Sequence, residues 1–299
     1  MGPCRRVRVV ACREVLTPRT HTEPDVRRVA GAAPMCTVSG MTKLAFSTLG
    51  CSGSPLAEVA AMAVRTGWRG LELRSAPDEP VHRHLSPEDR EIARSALKDV
   101  TAVCVASYVK IAADADDDEV VTALLAEAGL ARDLGAGAVR VFPGGEGDGR
   151  DDRRAVRRLR TVAPRLPDGV EVWLETHDSH PKGADVARVL AEVGSPRVRA
   201  IWDAAHPWLA GETVSETAAA LAPWLAHVQV KDRASTADPT PVPLGDGILP
   251  LRQVLAALRE AGYDRWVSLE WEHRWHPAPT PLEDALRAGR TWLAHPPGA

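Results

Sequence analysis

The sequence lacks the features that mark membrane and nucleic-acid-binding proteins. No apolar run approaches the roughly 18 residues of a bilayer span, and the N-terminal segment lacks the apolar stretch of a secretory signal. The formal net charge is -3, so the chain has no cationic surplus to neutralise a phosphate backbone. We therefore expect a soluble cytoplasmic protein that binds neither nucleic acid nor membrane; homo-oligomerisation stays open.

Cysteine is scarce and has no recognisable spacing. The five residues, Cys4, Cys12, Cys36, Cys51 and Cys104, are scattered and never form a CxxC pair. Reduced thiols are the simplest interpretation. Cys51 follows the first predicted strand, but no base stands beside it, so a bystander thiol is favoured over a nucleophile.

The first forty residues differ in composition from the rest of the chain. They contain seven arginines against three acids and show no sustained hydrophobic period. We predict a disordered N-terminal extension over residues 1–41, followed by one domain over residues 42–297.

From Lys43 onward, short apolar runs rich in β-branched and aromatic residues alternate with helical patterns. This alternation occurs eight times, with predicted strands at 43–48, 68–73, 100–108, 138–142, 170–175, 198–203, 227–231 and 266–270. Strands separated by helices are parallel, and eight such units predict an α/β fold of the (β/α)₈ TIM-barrel type.

An open doubly wound sheet is the alternative fold. The first strand-helix junction, TLGCSGSP, lacks the GxGxxG fingerprint expected of a dinucleotide-binding sheet. The later GGEGDG at 144–149 has the wrong glycine spacing for either nucleotide motif, which favours a flexible loop over a phosphate cradle.

Polar residues end four consecutive predicted strands. Strands 5 and 8 end in similar strings that place Glu175 and Glu270, strand 6 ends at Asp203, and strand 7 carries Gln229. In a barrel these ends meet at one face. Buried carboxylates are costly unless paired, and few cations appear nearby, so a divalent metal is the expected counter-charge.

The four oxygen donors favour one hard ion, Mn²⁺ or Mg²⁺, with Co²⁺ tolerated. A single acid at a strand end more often caps a helix or pairs with an arginine, but four in register on consecutive strands favour a metal site. Gln229 is the weakest candidate ligand, because a glutamine can equally hydrogen-bond to a ligand residue.

From Leu44 to Leu293 the sequence resembles the sugar phosphate isomerase/epimerase superfamily of xylose isomerase-like barrels. The resemblance rests on Glu175, on the DxxH string of Asp203 and His206, on Gln229 within HVQVKD, and on Glu270. Many members have HVHxKD instead of HVQVKD; the hydroxypyruvate isomerase branch resembles this chain in using Gln. The family match implies one metal ion bound by Glu175, Asp203, Gln229 and Glu270.

The resemblance also implies an isomerase or epimerase of a small sugar or cyclitol, with Glu175 and Glu270 as the acid-base pair around a metal-stabilised enediolate. His206, His177, Arg233 and Glu72 are candidate substrate-binding residues. For Glu72 a salt bridge is an equal alternative, and for Arg233 a solvated position.

Three other functions remain open at this stage. An inosose-type dehydratase would use the same scaffold and lose a β-hydroxyl from the enolate. An endonuclease IV-like repair enzyme would need more metals and a basic face, which the net charge disfavours. A non-catalytic barrel is disfavoured by the two intact glutamates.

Overall fold

The computed structural model describes residues 43–147 and 149–296, in which parallel strands alternate with helices. The strands are β1 (Lys43–Ser47), β2 (Gly70–Arg74), β3 (Thr101–Lys110), β4 (Ala138–Phe142), β5 (Glu171–Glu175), β6 (Val198–Asp203), β7 (Leu225–Val230) and β8 (Trp266–Leu269). The helices are α1 (Leu56–Thr66), α2 (Pro87–Ala96), α3 (Asp117–Leu134), α4 (Asp151–Val162), α5 (Gly183–Val193), α6 (Ala205–Leu209), α7 (Val214–Leu221), α8 (Leu251–Glu260) and α9 (Leu282–Ala294), with 3₁₀ turns at Thr48–Cys51 and Ala163–Arg165.

The sheet closes on itself. Each strand pairs in parallel with its sequence neighbours, and β1 also pairs with β8, with Leu44 opposite Val267. This confirms the predicted (β/α)₈ barrel and rules out the open doubly wound sheet. The predicted extension over residues 1–41 lies outside the described residues. No helix in the described ranges is long and apolar enough to cross a membrane.

Local sequence signals set the helix ends. The side chain of Ser86 accepts a hydrogen bond from the backbone of Asp89 at the start of α2, where Pro87 occupies the first turn. Thr213 and Glu216 form a capping box at the start of α7. Helix α1 ends at Gly67, whose φ of 80° lies in the left-handed region that glycine adopts without strain.

Strand β2 starts two residues later than predicted. Trp68 does not enter the sheet: it is fully buried, and its indole N–H donates to the carbonyl of Leu286 in α9 at 3.0 Å. The strand begins at Gly70, where an added Cβ would lie 2.6 Å from Trp266 and 2.9 Å from Ala45. An aromatic residue that resembles a strand residue in sequence therefore anchors a helix instead.

The apolar core lies mainly between the strands and the helices, and a smaller cluster fills one end of the barrel interior. That interior cluster contains Ala45, Val103, Cys104, Ala138, Trp173, Ile201 and Ala226. Because side chains alternate along a strand, Trp173 and Glu175 both face inward while Leu174 joins the outer core. Polar side chains therefore occupy the remaining interior, toward the C-terminal strand ends.

Candidate active site

A cavity of about 440 Å³ opens at the C-terminal ends of the strands. Its walls include both glutamates predicted at strand ends, Glu175 and Glu270, together with His177, His206 and Arg233. The two glutamates are only 1% and 6% exposed. Asp203 and Gln229 do not line this cavity and are fully buried.

Arg140 neutralises Glu175. Its guanidinium donates to a Glu175 carboxylate oxygen at 2.7 Å, and its Cζ lies 3.9 Å from the ring centroid of Phe142. Burial raises the pKa of Glu175 above its usual value, and Arg140 and His177 offset only part of that rise. Glu175 is therefore a buried carboxyl with a raised proton affinity and one fixed cationic partner.

Lys231 lies among three carboxylates that are separate from Glu175. Its Nζ is 2.7 Å from Glu270 Oε2, 2.7 Å from Glu272 Oε1 and 2.8 Å from Asp203 Oδ2. The expectation that few cations lie near the strand-end carboxylates is therefore wrong: Arg140 and Lys231 both pair with them. The lysine stem folds inward because it follows β7, directly beside the end of β8.

The carboxyls around Lys231 differ in proton affinity. Burial raises the pKa of Glu270 to about 8, helped by the neighbouring charge of Glu272 and opposed by Lys231. Burial also acts to raise the pKa of Asp203, but Lys231 and His206 outweigh it, and the net shift is downward. Asp203 thus stays ionised at neutral pH while Glu270 can exchange a proton.

Glu72 holds Gln229 in place. It is fully buried and accepts hydrogen bonds from Gln229 Nε2 at 2.9 Å and from His227 Nε2 at 2.6 Å. The carbonyl oxygen Oε1 of Gln229 is buried without a hydrogen-bond partner. Glu72 does not line the cavity, so we interpret it as a residue that positions Gln229 and not as a substrate contact.

The two candidate histidines lie beside each other at the cavity wall. Their ring centroids are 4.2 Å apart. Burial acts to lower the pKa of His177, but a 2.7 Å hydrogen bond to Asp178 and the charge of Glu175 raise it overall. Burial lowers the pKa of His206 to about 4, and its Nε2 has no hydrogen-bond partner. The raised pKa of His177 favours its charged form, whereas His206 is neutral at neutral pH.

Arg233 lines the cavity, but its side chain hydrogen-bonds to the backbone of its own loop. Its Nε donates to the backbone carbonyls of Ser235 at 2.9 Å and Asp238 at 3.1 Å. The adjacent Asp232 accepts from the backbone N–H of Gly245 at 3.0 Å and of Gly247 at 3.1 Å. These bonds shape the loop between β7 and α8 that forms one side of the cavity.

The residues present fit a divalent metal in one respect and oppose it in another. Gln229 Oε1 and His206 Nε2 are buried potential ligand atoms without hydrogen-bond partners, and the ends of β5, β6 and β8 supply carboxylate oxygens. Donor atoms of Glu175, His177 and His206 also lie within 4.8 Å of one another. Against this, the Lys231 ammonium already occupies the space between Asp203 and Glu270.

Other sequence expectations have plain outcomes. Burial raises the pKa of Cys51 to about 12, which agrees with a bystander thiol.

The backbone amides of the glycine loop after β4 are hydrogen-bonded to protein groups. The N–H of Gly145 donates to Ser179 Oγ at 3.0 Å, and that of Gly147 donates to Asp151 at 2.7 Å. These amides are therefore not free to cradle a phosphate.

Sequence reasoning missed Arg140 and Glu272 as members of the site. Arg140 interrupts the apolar string AVRVF of β4, and an arginine inside a buried strand is itself a signal of an interior partner. Glu272 lies two residues after Glu270, the spacing that puts two side chains on one side of an extended segment, and both residues follow the end of β8. Both signals were available in the sequence.

Comparisons with known proteins agree with the barrel fold. A family model described as a xylose isomerase-like TIM barrel matches residues 60–295. A Streptomyces coelicolor protein provisionally named a hydroxypyruvate isomerase is 30% identical over 189 residues, which is 58% of this chain and 62% of the relative. The chain thus matches less than two thirds of that relative's length.

Solved structures share the fold at low identity. The D-psicose 3-epimerase of Clostridium cellulolyticum H10 has a TM-score of 0.71 at 13% identity, over 85% of this chain and 99% of the epimerase. The AsbF protein of Bacillus anthracis, provisionally described as a 3-DHS dehydratase, has a TM-score of 0.69 at 19% identity, over 84% and 98%. The IOLI protein, solved with a zinc atom, has 0.67 at 16%, over 85% and 98%.

Proposed function

Because the chain belongs to the xylose isomerase-like TIM barrel family, we propose that it is a divalent-metal-dependent isomerase or epimerase of a small keto sugar or cyclitol. The reaction would move a proton at a carbon next to a carbonyl. The provisionally named hydroxypyruvate isomerase and the psicose epimerase fold support this reaction class.

The observation that carries the proposal is a pair of buried glutamates that face one cavity, Glu175 as the last residue of β5 and Glu270 directly after β8. Both have pKa values raised by burial, that of Glu270 to about 8. A carboxyl tuned toward neutral pH suits general acid-base catalysis, because it can both accept and return a proton near the working pH. Two such groups at one cavity suit proton removal and delivery.

A bound divalent ion would polarise the substrate carbonyl and make the adjacent C–H more acidic. Glu175, Asp203, Gln229 and Glu270 are the proposed ligands. The unpartnered Oε1 of Gln229 supports its inclusion, and the hydrogen bond from its amide to Glu72 fixes which end of the side chain is free. The IOLI protein with its zinc atom supports a metal in this fold.

The protein's own groups would then carry the proton transfer. In its ionised form one glutamate takes the proton from carbon, and the electron pair moves onto the carbonyl oxygen to give an enediolate. His177, with its raised pKa, and His206, with its free Nε2, would hold the substrate oxygens. The other glutamate, protonated at the start, returns a proton to the same carbon from the opposite face, which completes an epimerisation. In an isomerisation it protonates the neighbouring carbon, while the hydroxyl on the first carbon loses its proton to form the new carbonyl and the former carbonyl oxygen takes the proton held by the first glutamate.

A dehydratase is the second candidate, because the AsbF fold is among the structural relatives. It would use the same first step, but the intermediate would expel a β-hydroxyl as water. The two reactions differ in products: isomerisation or epimerisation in D₂O incorporates deuterium without loss of water, whereas dehydration lowers the substrate mass.

The decisive experiment incubates Mn²⁺-loaded protein in D₂O with hydroxypyruvate, a series of keto sugars and inososes, followed by NMR and mass spectrometry. We expect deuterium incorporation into one substrate class, lost in Glu270→Gln. Glu171→Gln is the matched control: Glu171 lies at the opposite end of β5 and accepts from the Trp173 indole at 2.7 Å, so exchange should persist. Exchange that survives in Glu270→Gln would remove this residue from catalysis.

Metal analysis separates the nuclease alternative. About one divalent ion per chain is expected after mild purification. Two or three ions per chain would contradict the proposed centre and favour an endonuclease-like site.

A further inference from the structure

We propose that Lys231 is a built-in counter-ion of the carboxylate cluster, which stabilises the metal-free protein and must be displaced before a divalent ion can reach Asp203 and Glu270. This inference rests on the proposed metal centre for its second half only. The first half concerns the folded protein without metal.

The contacts of one ammonium group carry the argument. Lys231 Nζ lies 2.8 Å from Asp203 Oδ2 and 2.7 Å from Glu270 Oε2, and both residues belong to the proposed ligand set. The third contact, 2.7 Å to Glu272 Oε1, involves a carboxylate outside the proposed ligand set. The ammonium donates hydrogen bonds to Glu270 and Glu272, and it forms a close ion pair with Asp203, whose Oδ2 accepts no hydrogen bond.

Burial makes this arrangement consequential. Asp203 is fully buried, and the side chain of Lys231 is 10% exposed. Without a cation, three carboxyl groups held together in such a setting could not all stay ionised, so folding would cost either mutual repulsion or proton uptake. The ammonium therefore does, in part, what a metal would do for Asp203 and Glu270.

Competition follows from electrostatics. A divalent ion and an ammonium cannot both occupy the space between the same two oxygens, and they repel each other at short range. Metal entry must therefore swing the Lys231 side chain away, and Glu272, which is 24% exposed, is the acceptor placed to retain it. The metal affinity would then depend on how much more strongly the carboxylates bind the metal ion than the Lys231 ammonium, and not on the carboxylates alone.

The test compares metal-stripped wild type with Lys231→Met, which keeps the unbranched apolar stem and removes the ammonium group. In EDTA, the melting temperature of Lys231→Met should fall by about 10 °C. The dissociation constant for Mn²⁺, measured by titration with EPR detection of free Mn²⁺, should fall by about tenfold or more. Mn²⁺ should restore the melting temperature.

Two further variants sharpen the result. Lys231→Arg keeps the charge, so we expect it to fold even if Lys231→Met does not and to keep the Mn²⁺ affinity of the wild type. Lys110→Met removes a lysine that lines the cavity bounded by Glu175 and Glu270 but does not contact the carboxylates around Lys231, and it should change neither quantity.

The inference would be overturned if Lys231→Met left both the melting temperature and the Mn²⁺ affinity unchanged. It would also be overturned if Lys231→Arg bound Mn²⁺ as tightly as Lys231→Met. If neither wild type nor Lys231→Met binds Mn²⁺, the proposed metal centre fails, whereas a lower melting temperature of Lys231→Met in EDTA still supports the counter-ion role.

Discussion

Replacing Arg140 by methionine tests how the barrel tolerates a buried carboxylate. The variant leaves Glu175, which is 1% exposed, without the guanidinium that donates to it at 2.7 Å. Removing one partner of a buried ion pair costs about 3–5 kcal/mol. For a chain of this size each kcal/mol lowers the melting temperature by about 2–4 °C, so we expect a fall of about 6–20 °C.

The double variant Arg140→Met/Glu175→Gln should recover most of that loss, because a neutral amide costs less to bury than an unpaired carboxylate. Thermal unfolding followed by circular dichroism in EDTA measures both. Arg65→Met is the control: Arg65 pairs with Glu283 at 3.2 Å but is 52% exposed, so the change should stay within about 1 kcal/mol. A double variant less stable than Arg140→Met would refute the reasoning.

Three further outcomes are expected. Because burial raises the pKa of Glu270 from 4.5 to about 8, the folded protein holds a proton there that the unfolded chain releases. The free energy of unfolding of the metal-free protein should therefore fall as the pH rises from 4.5 to 8. Denaturant titrations should show a shallower fall in Glu270→Gln. Glu72→Gln should weaken Mn²⁺ binding by about 10- to 100-fold in a chelator competition, because the new amide has one acceptor oxygen where the carboxylate has two, for His227 and Gln229; unchanged affinity would contradict the positioning role of Glu72. Gly247→Ala places a Cβ 2.1 Å from Asp232 Oδ1, so the loop after β7 must shift; activity should drop more than the melting temperature, and a crystal structure with an unmoved loop would contradict this.

The order of strands and helices was readable because it depends on local periodicity. Apolar runs of period two and helices bounded by Ser, Pro and Gly are encoded within a few residues, as at Ser86 and Gly67. The positions of Glu175, Asp203 and Glu270 at strand ends followed from the same pattern. Strand limits were less accurate where a residue such as Trp68 is recruited by a distant helix.

Which charges meet at the site depended on tertiary structure. Arg140 and Glu175 lie 35 residues apart, and Lys231 lies 39 residues from Glu270, so their pairing requires barrel closure and inward alternation on separate strands. The sequence by itself determined the barrel and the carboxylates at its mouth, since both arise from short-range patterns. Only the folded structure decided that two cations already neutralise those carboxylates, because side-chain direction and burial are properties of the assembled interior.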